Sequence, residues 1–118
     1  MAVTEVFSGS PTISTSEYSL PNGSTSLTAQ TTAGVYQVWL DLSALTATEW
    51  YVLQIYETVT AGGNKRGTQS VDLIGVNGGG RSPNYVTVPL GLLTGWDFTL
   101  TLLKGTARVI PYSVRQLG

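Results

Sequence analysis

Residues Gly95–Gln116 read GWDFTLTLLKGTARVIPYSVRQ, and their alternation is the strongest structural signal in the chain. Two runs flank the short turn Gly105-Thr106-Ala107. Phe98, Leu100 and Leu102 share one parity, and Ile110, Tyr112 and Val114 share the matching parity of the second run. With Lys104 opposite Arg108, Leu102 faces Ile110, Leu100 faces Tyr112 and Phe98 faces Val114, while Thr99 and Thr101 fall on the other side. A slip of one residue would turn the whole apolar set toward water, so this agreement specifies a register. The stretch predicts a C-terminal β-hairpin with one face in the core. It carries no catalytic pattern.

The same arithmetic applies upstream. Val35–Leu42 and Glu49–Val59 are the clearest earlier strands, separated by residues 43–48. Pairing Leu42 with Glu49 sets Tyr36, Val38 and Leu40 opposite Ile55, Leu53 and Tyr51. The other face then carries Val35, Gln37 and Trp39 against Tyr56, Gln54 and Val52, with Trp50 beside Asp41. Both faces are largely apolar, unlike an antiparallel sheet with one solvated side. Something is expected to cover the second face, either the N-terminal segment or another subunit.

Around these two units the chain punctuates itself as a sheet protein. Residues 1–16 read as a Ser/Thr-rich arm in which Val3, Val6 and Phe7 are available for docking. A first strand is expected over Ser14–Leu20, ended by the turn Pro21-Asn22-Gly23. Residues 24–32 form a weak edge strand or a loop. Lys65 and Arg66 read as a solvated hairpin end, Gln69–Ile74 as a short strand, Gly75–Pro83 as a glycine-rich loop and Tyr85–Val88 as a strand. Residues 89–94 bend the chain into the final hairpin. Pro111, lacking an N–H, places its strand at a sheet edge or bulge. No segment sustains a 3.6-residue period. The fold expected is all-β: a single antiparallel sandwich or jelly-roll-like barrel of about eight strands, with the arm at 1–16 and the sandwich at 17–118.

At 118 residues the chain suits one domain able to bury roughly two-thirds of its unfolded surface. Charged residues make up 11%, less than half the usual ~25%. A surface this poor in charge fits one largely covered by partners. A net charge of −1 leaves no footprint for nucleic acid. The first residues have neither a basic start nor an apolar core, and no run reaches the ~18 apolar residues of a membrane span. A soluble protein made in a cytoplasm is expected, without a membrane partner.

Catalysis has little to work with. Histidine and cysteine are both absent, which removes the usual triads, thiol chemistry and zinc sites, so no metal or cofactor is expected. Gly75–Ser82 has the spacing of a phosphate-binding loop with Arg81 in place of lysine, but Pro83 and a β-run follow where a helix is needed. A glycosidase would need two carboxylates about 5–10 Å apart across a cleft. The seven acids are scattered, and Asp41, Glu49 and Asp97 fall at strand ends where charge marks solvent. Glu57 has inward parity and is expected to pair with Arg66 or Arg115. Asn22-Gly23-Ser24 matches a glycosylation sequon, which we read as chance. A sugar platform of Trp39, Trp50 and Tyr56 on one sheet face competes with a subunit interface built on the same aromatics.

The residues Gly95–Gln116 also resemble the ending of small structural proteins encoded in the head gene region of tailed phages. That group shows a G-W-D-F-T-L-like strand, a G-T-x-R turn and an I-x-W-S-I-R-like last strand. Here Tyr112 stands in the usual Trp place. Gly34–Leu45 (GVYQVWLDLSAL), Leu53–Glu57 and Gly62-Gly63 are similar as well, whereas the N-terminal part of the chain is not. The resemblance implies a virion component on the capsid surface, a decoration or cement protein bound to the major capsid protein, often as a trimer. The expected partner surface comprises Val3, Val6 and Phe7 of the arm with Val35, Trp39, Trp50, Val52 and Tyr56. The alternatives are a carbohydrate-binding module on a phage surface, with glycans as ligand, or a tail or head-completion subunit.

Overall fold

The computed structural model describes residues 2–60, 62–74 and 83–118. The glycine-rich loop Gly75–Ser82, with its phosphate-loop spacing, lies outside the described residues. The strands are β1 (Val3–Gly9), β2 (Thr12–Ile13), β3 (Tyr18–Ser19), β4 (Gly34–Asp41), β5 (Trp50–Glu57), β6 (Arg66–Ile74), β7 (Asn84–Val86), β8 (Leu90–Leu92), β9 (Asp97–Lys104), β10 (Arg108–Val109) and β11 (Tyr112–Leu117). One sheet runs β1-β11-β4, with β7 and β8 both on the far side of β4. The other runs β3-β9-β5-β6, and β2 pairs with β10 between them. All pairings among the described residues are antiparallel. This strand order is that of a jelly roll, two Greek keys closed into a sandwich.

The N-terminal segment is therefore not an arm. Residues 3–19 lie antiparallel along residues 97–117, from Val3 opposite Leu117 through Ile13 opposite Arg108 to Ser19 opposite Thr99. Between the named strands, Ile110 N donates to Pro11 O (3.0 Å), Leu102 N to Ser14 O (2.9 Å) and Leu20 N to Phe98 O (2.9 Å). The ribbon passes from one sheet to the other at its middle, where Pro11 and Pro111 sit. Each lacks a donor, so the ladder bends there without leaving an N–H unsatisfied. Pro111 thus marks the corner, and the strand after it is the second from the edge of its sheet.

Neither predicted hairpin forms. β9 and β11 lie in different sheets, as do β4 and β5, and each pair faces across the core. The apolar parity nevertheless holds. Tyr36, Val38, Leu40, Tyr51, Leu53, Ile55, Phe98, Leu100, Leu102, Ile110, Tyr112 and Val114 are all buried. Burying one such side chain contributes about 1.5–3 kcal/mol, and an inward set is satisfied equally by a neighbour in its own sheet or by the opposing sheet. The β4–β5 connection crosses the sandwich instead of turning back. Its Leu45 drops into the core, and buried Glu49 gathers the loop: Oε1 accepts from Thr46 N (2.7 Å) and Arg108 Nε (3.0 Å), and Thr48 Oγ1 also donates to the carboxylate. Gly105 has φ +100°, and a Cβ there would lie 2.7 Å from Thr48 O, so the β9–β10 turn packs against this arch only with glycine.

Smaller departures have local causes. β6 begins at Arg66 rather than Gln69, and the bend at 89–94 contains β8. Between β7 and β8, Thr87 Oγ1 accepts from Val38 N (3.1 Å) and Thr87 N donates to Val38 O (3.0 Å), keeping β4 satisfied across the break. Trp96 is buried against Tyr36 (4.5 Å between centroids) and Phe98 (5.4 Å), and its Nε1 donates to Thr32 O. Asn22 Nδ2 donates to Ser19 Oγ (2.8 Å) and Thr28 O (2.7 Å), so the amide of the sequon is engaged in holding its own loop.

Opposite parities along β9 should separate cleanly. Leu100→Ala, fully buried, is expected to cost about 2–5 kcal/mol in urea unfolding. Leu103→Ala, half exposed, should stay within about 0.5 kcal/mol. Equal losses at the two positions would contradict the inward face assigned here.

Candidate interaction surfaces

The two sheets each present an outer face, and the register defines what lies on them. On the β1-β11-β4 sheet, one row runs Val3–Leu117–Val35, the next Glu5–Arg115–Gln37 and the next Ser8–Ser113–Trp39–Val86, with Asp41 opposite Asn84 beyond. On the β3-β9-β5-β6 sheet, the rows are Ile74–Trp50–Lys104, Asp72–Val52–Thr101, Ser70–Gln54–Thr99–Ser19 and Gly67–Tyr56–Asp97.

The expected interface residues are consequently divided. Trp39 and Val35 occupy one outer face; Trp50, Val52 and Tyr56 occupy the other. A common aromatic platform of Trp39, Trp50 and Tyr56 does not exist, because β4 and β5 belong to different sheets. Val6 and Phe7 are half-buried and pack against the core, whereas Val3 is exposed at the sheet edge. Tyr56 is committed internally: its hydroxyl donates to Glu17 Oε2 (2.6 Å), and Lys65 Nζ lies 5.1 Å from its ring centroid. Burial, then the Glu17 hydrogen bond, pushes its phenol up to about 12.

Trp50 and Val52 remain together, and the fold adds two residues to them. Ile74 sits directly opposite Trp50, and a register shift between Trp50 and Tyr51 inserts Leu103 as an extra residue on β9. Trp50, Ile74 and Leu103 are 40%, 42% and 50% exposed. Cross-strand neighbours on one face lie about 4.5–5.5 Å apart at Cβ, which places Ile74 beside Trp50. With bulged Leu103 next to Lys104, Trp50's partner on β9, these residues form an apolar corner edged by Lys104 and Asp72. Trp50 Nε1 is satisfied by Asp72 Oδ1 at 3.1 Å, which leaves the indole's apolar surface outward. Sequence reasoning missed Ile74 and Leu103. The signals were the Leu102-Leu103 doublet, which breaks alternation as a bulge does, and an isoleucine that follows core-facing Val71 and Leu73 on the opposite parity of β6.

The opposite face holds a cleft of about 230 Å³ lined by Trp39, Asp41, Asn84, Pro111, Ser113 and Arg115, with Leu40 and Tyr112 at its floor. Arg115 Cζ stands 4.4 Å from the Trp39 ring centroid. Arg115 Nε donates to Ser113 Oγ (3.1 Å), which in turn donates to Glu5 Oε2 (2.6 Å). The Ser113 hydrogen bond is the chief cause holding the Glu5 carboxyl below its ordinary value. The Trp39 indole N–H is buried and has no partner among the described residues.

The carboxylates also depart from expectation. Glu49 and Asp97 are buried, not solvated strand ends. Asp97 accepts from Ser19 Oγ (2.7 Å) and Phe98 N (2.9 Å) and pairs with Lys65 at 3.3 Å, so Lys65 is no free hairpin cation. Burial pushes the Asp97 carboxyl up. Glu57 stands opposite Arg66 in the β5–β6 ladder, yet its side chain forms a salt bridge with neither arginine; its Oε2 accepts from Leu93 N at 3.0 Å. Among the described residues no group of three or more acids, histidines or cysteines converges on one point. Comparison with protein-family models, curated proteins and solved structures returns no match.

Glu49 supplies a pH signature. Hydrogen bonds from Thr48, Thr46 and Arg108 lower its carboxyl to about 2 from 4.5. A depressed folded value means that its stabilisation is complete above pH 4.5 and is lost as pH falls toward 2. Asp97, shifted upward, acts in the opposite sense and loses its contribution as pH rises. Chemical unfolding of Glu49→Gln is therefore expected to show a shallower loss of stability between pH 4.5 and 2 than the wild type. An identical slope would show that Glu49 is not held as described.

Proposed function

We propose that this chain is a non-enzymatic virion structural protein, a capsid decoration protein that docks on the major capsid protein. The observation that carries the proposal is the apolar corner of Trp50, Val52, Ile74 and Leu103 on a folded sheet, in a chain with 11% charged residues. An aromatic anchor ringed by aliphatic contacts is the usual centre of a protein interface. The resemblance of Gly95–Gln116 to phage head-region structural proteins supports the same function, and jelly rolls recur in capsid proteins. That fold also serves lectins and cupins, so it does not decide function by itself.

Docking of this kind stabilises a particle by linkage. Contacts made only in the closed arrangement of capsomers must be broken before a joint opens. The two-sheet core provides the rigid body, and the corner provides the buried anchor. A homotrimer seated on local three-fold positions is the assembly this implies, on the surface of the virion. Phosphoryl transfer, thiol catalysis and metal hydrolysis have no place in it.

Particle association tests the proposal. In lysates of cells producing virions with this chain, the wild type is expected to sediment with capsids and to run as a trimer by light scattering when purified. Trp50→Ser with Ile74→Ser should keep the wild-type circular dichroism and remain in the low-mass fraction. Wild-type chain found wholly in the low-mass fraction overturns the proposal. Loss of folding in the double variant would instead place these side chains in the core.

A further inference from the structure

We infer that the cleft beside Trp39 is a binding site for a neutral saccharide, one pyranose ring in size. The inference is independent of capsid docking, because the cleft lies on the opposite sheet from the Trp50 corner.

The cleft is assembled by register. Asp41 and Asn84 are direct partners on β4 and β7, and Trp39 and Ser113 are direct partners on β4 and β11. Pro111 closes one end at the corner of the ribbon, its carbonyl accepting from Asp41 N at 2.9 Å. Arg115 is held in place before any ligand arrives, by the Trp39 ring below it and by Ser113, which Glu5 braces. Such bracing lowers the ordering cost of binding.

The unspent hydrogen-bonding capacity points to the ligand. Among the described residues, the Arg115 terminal nitrogens, the Asn84 amide and the Trp39 N–H make no hydrogen bond, and Asp41 uses one oxygen on Ser43 N (2.9 Å). An indole N–H without a partner among the described residues is free to donate to a ligand oxygen. Donors and acceptors are thus interleaved over a short distance beside the apolar surfaces of Trp39 and Pro111. A sugar matches this mosaic, since its hydroxyls both donate and accept while its C–H face packs on aromatic and proline surface. Arg115 occupies one face of the indole, so the ring packs against the indole edge, Pro111 and the guanidinium.

Charge and volume narrow the class. The face carries two carboxylates, Asp41 and Glu5, against one guanidinium, which disfavours an anionic sugar. A volume of about 230 Å³ falls below the ~300–1,000 Å³ of sites for drug-sized ligands, which matches a single seated ring.

The full-length chain, titrated with methyl glycosides of glucose, galactose, mannose and N-acetylglucosamine, gives the test by proton–nitrogen NMR. Saturable shifts of the Trp39 indole and Asn84 amide signals are expected for at least one glycoside. Asn84→Ala should weaken that binding by about tenfold or more, and Trp50→Ala should leave it unchanged. Absence of saturable shifts with every glycoside overturns the inference. So does binding that survives both Asn84→Ala and Asp41→Ala at wild-type strength. In parallel titrations, a response to methyl glucuronide or to a tetra-aspartate peptide with none to the neutral glycosides also overturns it, by assigning the cleft to another class of ligand. Capsid sedimentation of Asn84→Ala should match the wild type, which keeps a failure here distinct from a failure of capsid docking.

Discussion

The structure depends on the pairing of the chain's two ends. Residues 3–19 and 97–117 form one antiparallel ribbon that bends from sheet to sheet. Its C-terminal strands then become interior strands: β11 lies between β1 and β4, and β9 lies between β3 and β5. Neither sheet can be built around β4 and β5 alone, because those strands never pair with each other. Most native contacts are accordingly distant in sequence, and loop closure must be met before pairing contributes. Such topology is expected to fold slowly, with sheet formation waiting for the C-terminal strands. The two prolines at the corner keep the ribbon from continuing as one straight ladder, which would leave a flat two-stranded strip with nothing to pack on.

How much of this was legible follows from what alternation encodes. Parity tells which side chains go inward, and it was right at Phe98, Leu100 and Leu102 and at Tyr36, Val38 and Leu40. It does not tell whether the inward partner sits beside a strand or across the core. Tyr51, Leu53 and Ile55 satisfy Tyr36, Val38 and Leu40 in either arrangement, and the short Gly105-Thr106-Ala107 segment resembles a hairpin turn. What decided for crossing is specific: buried Glu49 tying residues 46–48 to Arg108, and Gly105 seated against Thr48. Those are contacts between segments far apart in sequence, and no local pattern announces them. The N-terminal segment was misread for the same reason. Its Ser/Thr content looks like an arm, yet its backbone groups are consumed by β11, β10 and β9.

The candidate surfaces show the same division. Trp50 and Val52 were legible as a pair because two residues apart on a strand share a face. Trp39 was wrongly joined to them because that step needed the β4–β5 pairing. The acids illustrate how composition misleads in a small sandwich. Two of the seven, Glu49 and Asp97, are consumed in the interior by hydroxyl and amide donors. The solvent-facing charge is lower still than the total suggests. Serine and threonine on the outer rows carry the polarity instead, and neutral hydroxyls are cheaper to desolvate than ions when a partner settles on them.

A two-sheet sandwich separates its two outer faces by its own thickness, here a shortest principal extent of 20 Å. A partner seated on Trp50 and Ile74 therefore contacts nothing on the Trp39 side, and no shared strand pair links the two faces directly. What connects them is the ribbon, whose β9 supplies Leu103 to one face and whose β11 supplies Ser113 and Arg115 to the other. Anchoring β9 on a capsid would stiffen the ribbon without altering the chemistry of the cleft. The geometry thus allows one face to be chosen for firm attachment and the other for a weak, exchangeable ligand. An apolar corner with its indole nitrogen already satisfied suits the first role, and a polar cleft whose indole nitrogen has no partner among the described residues suits the second.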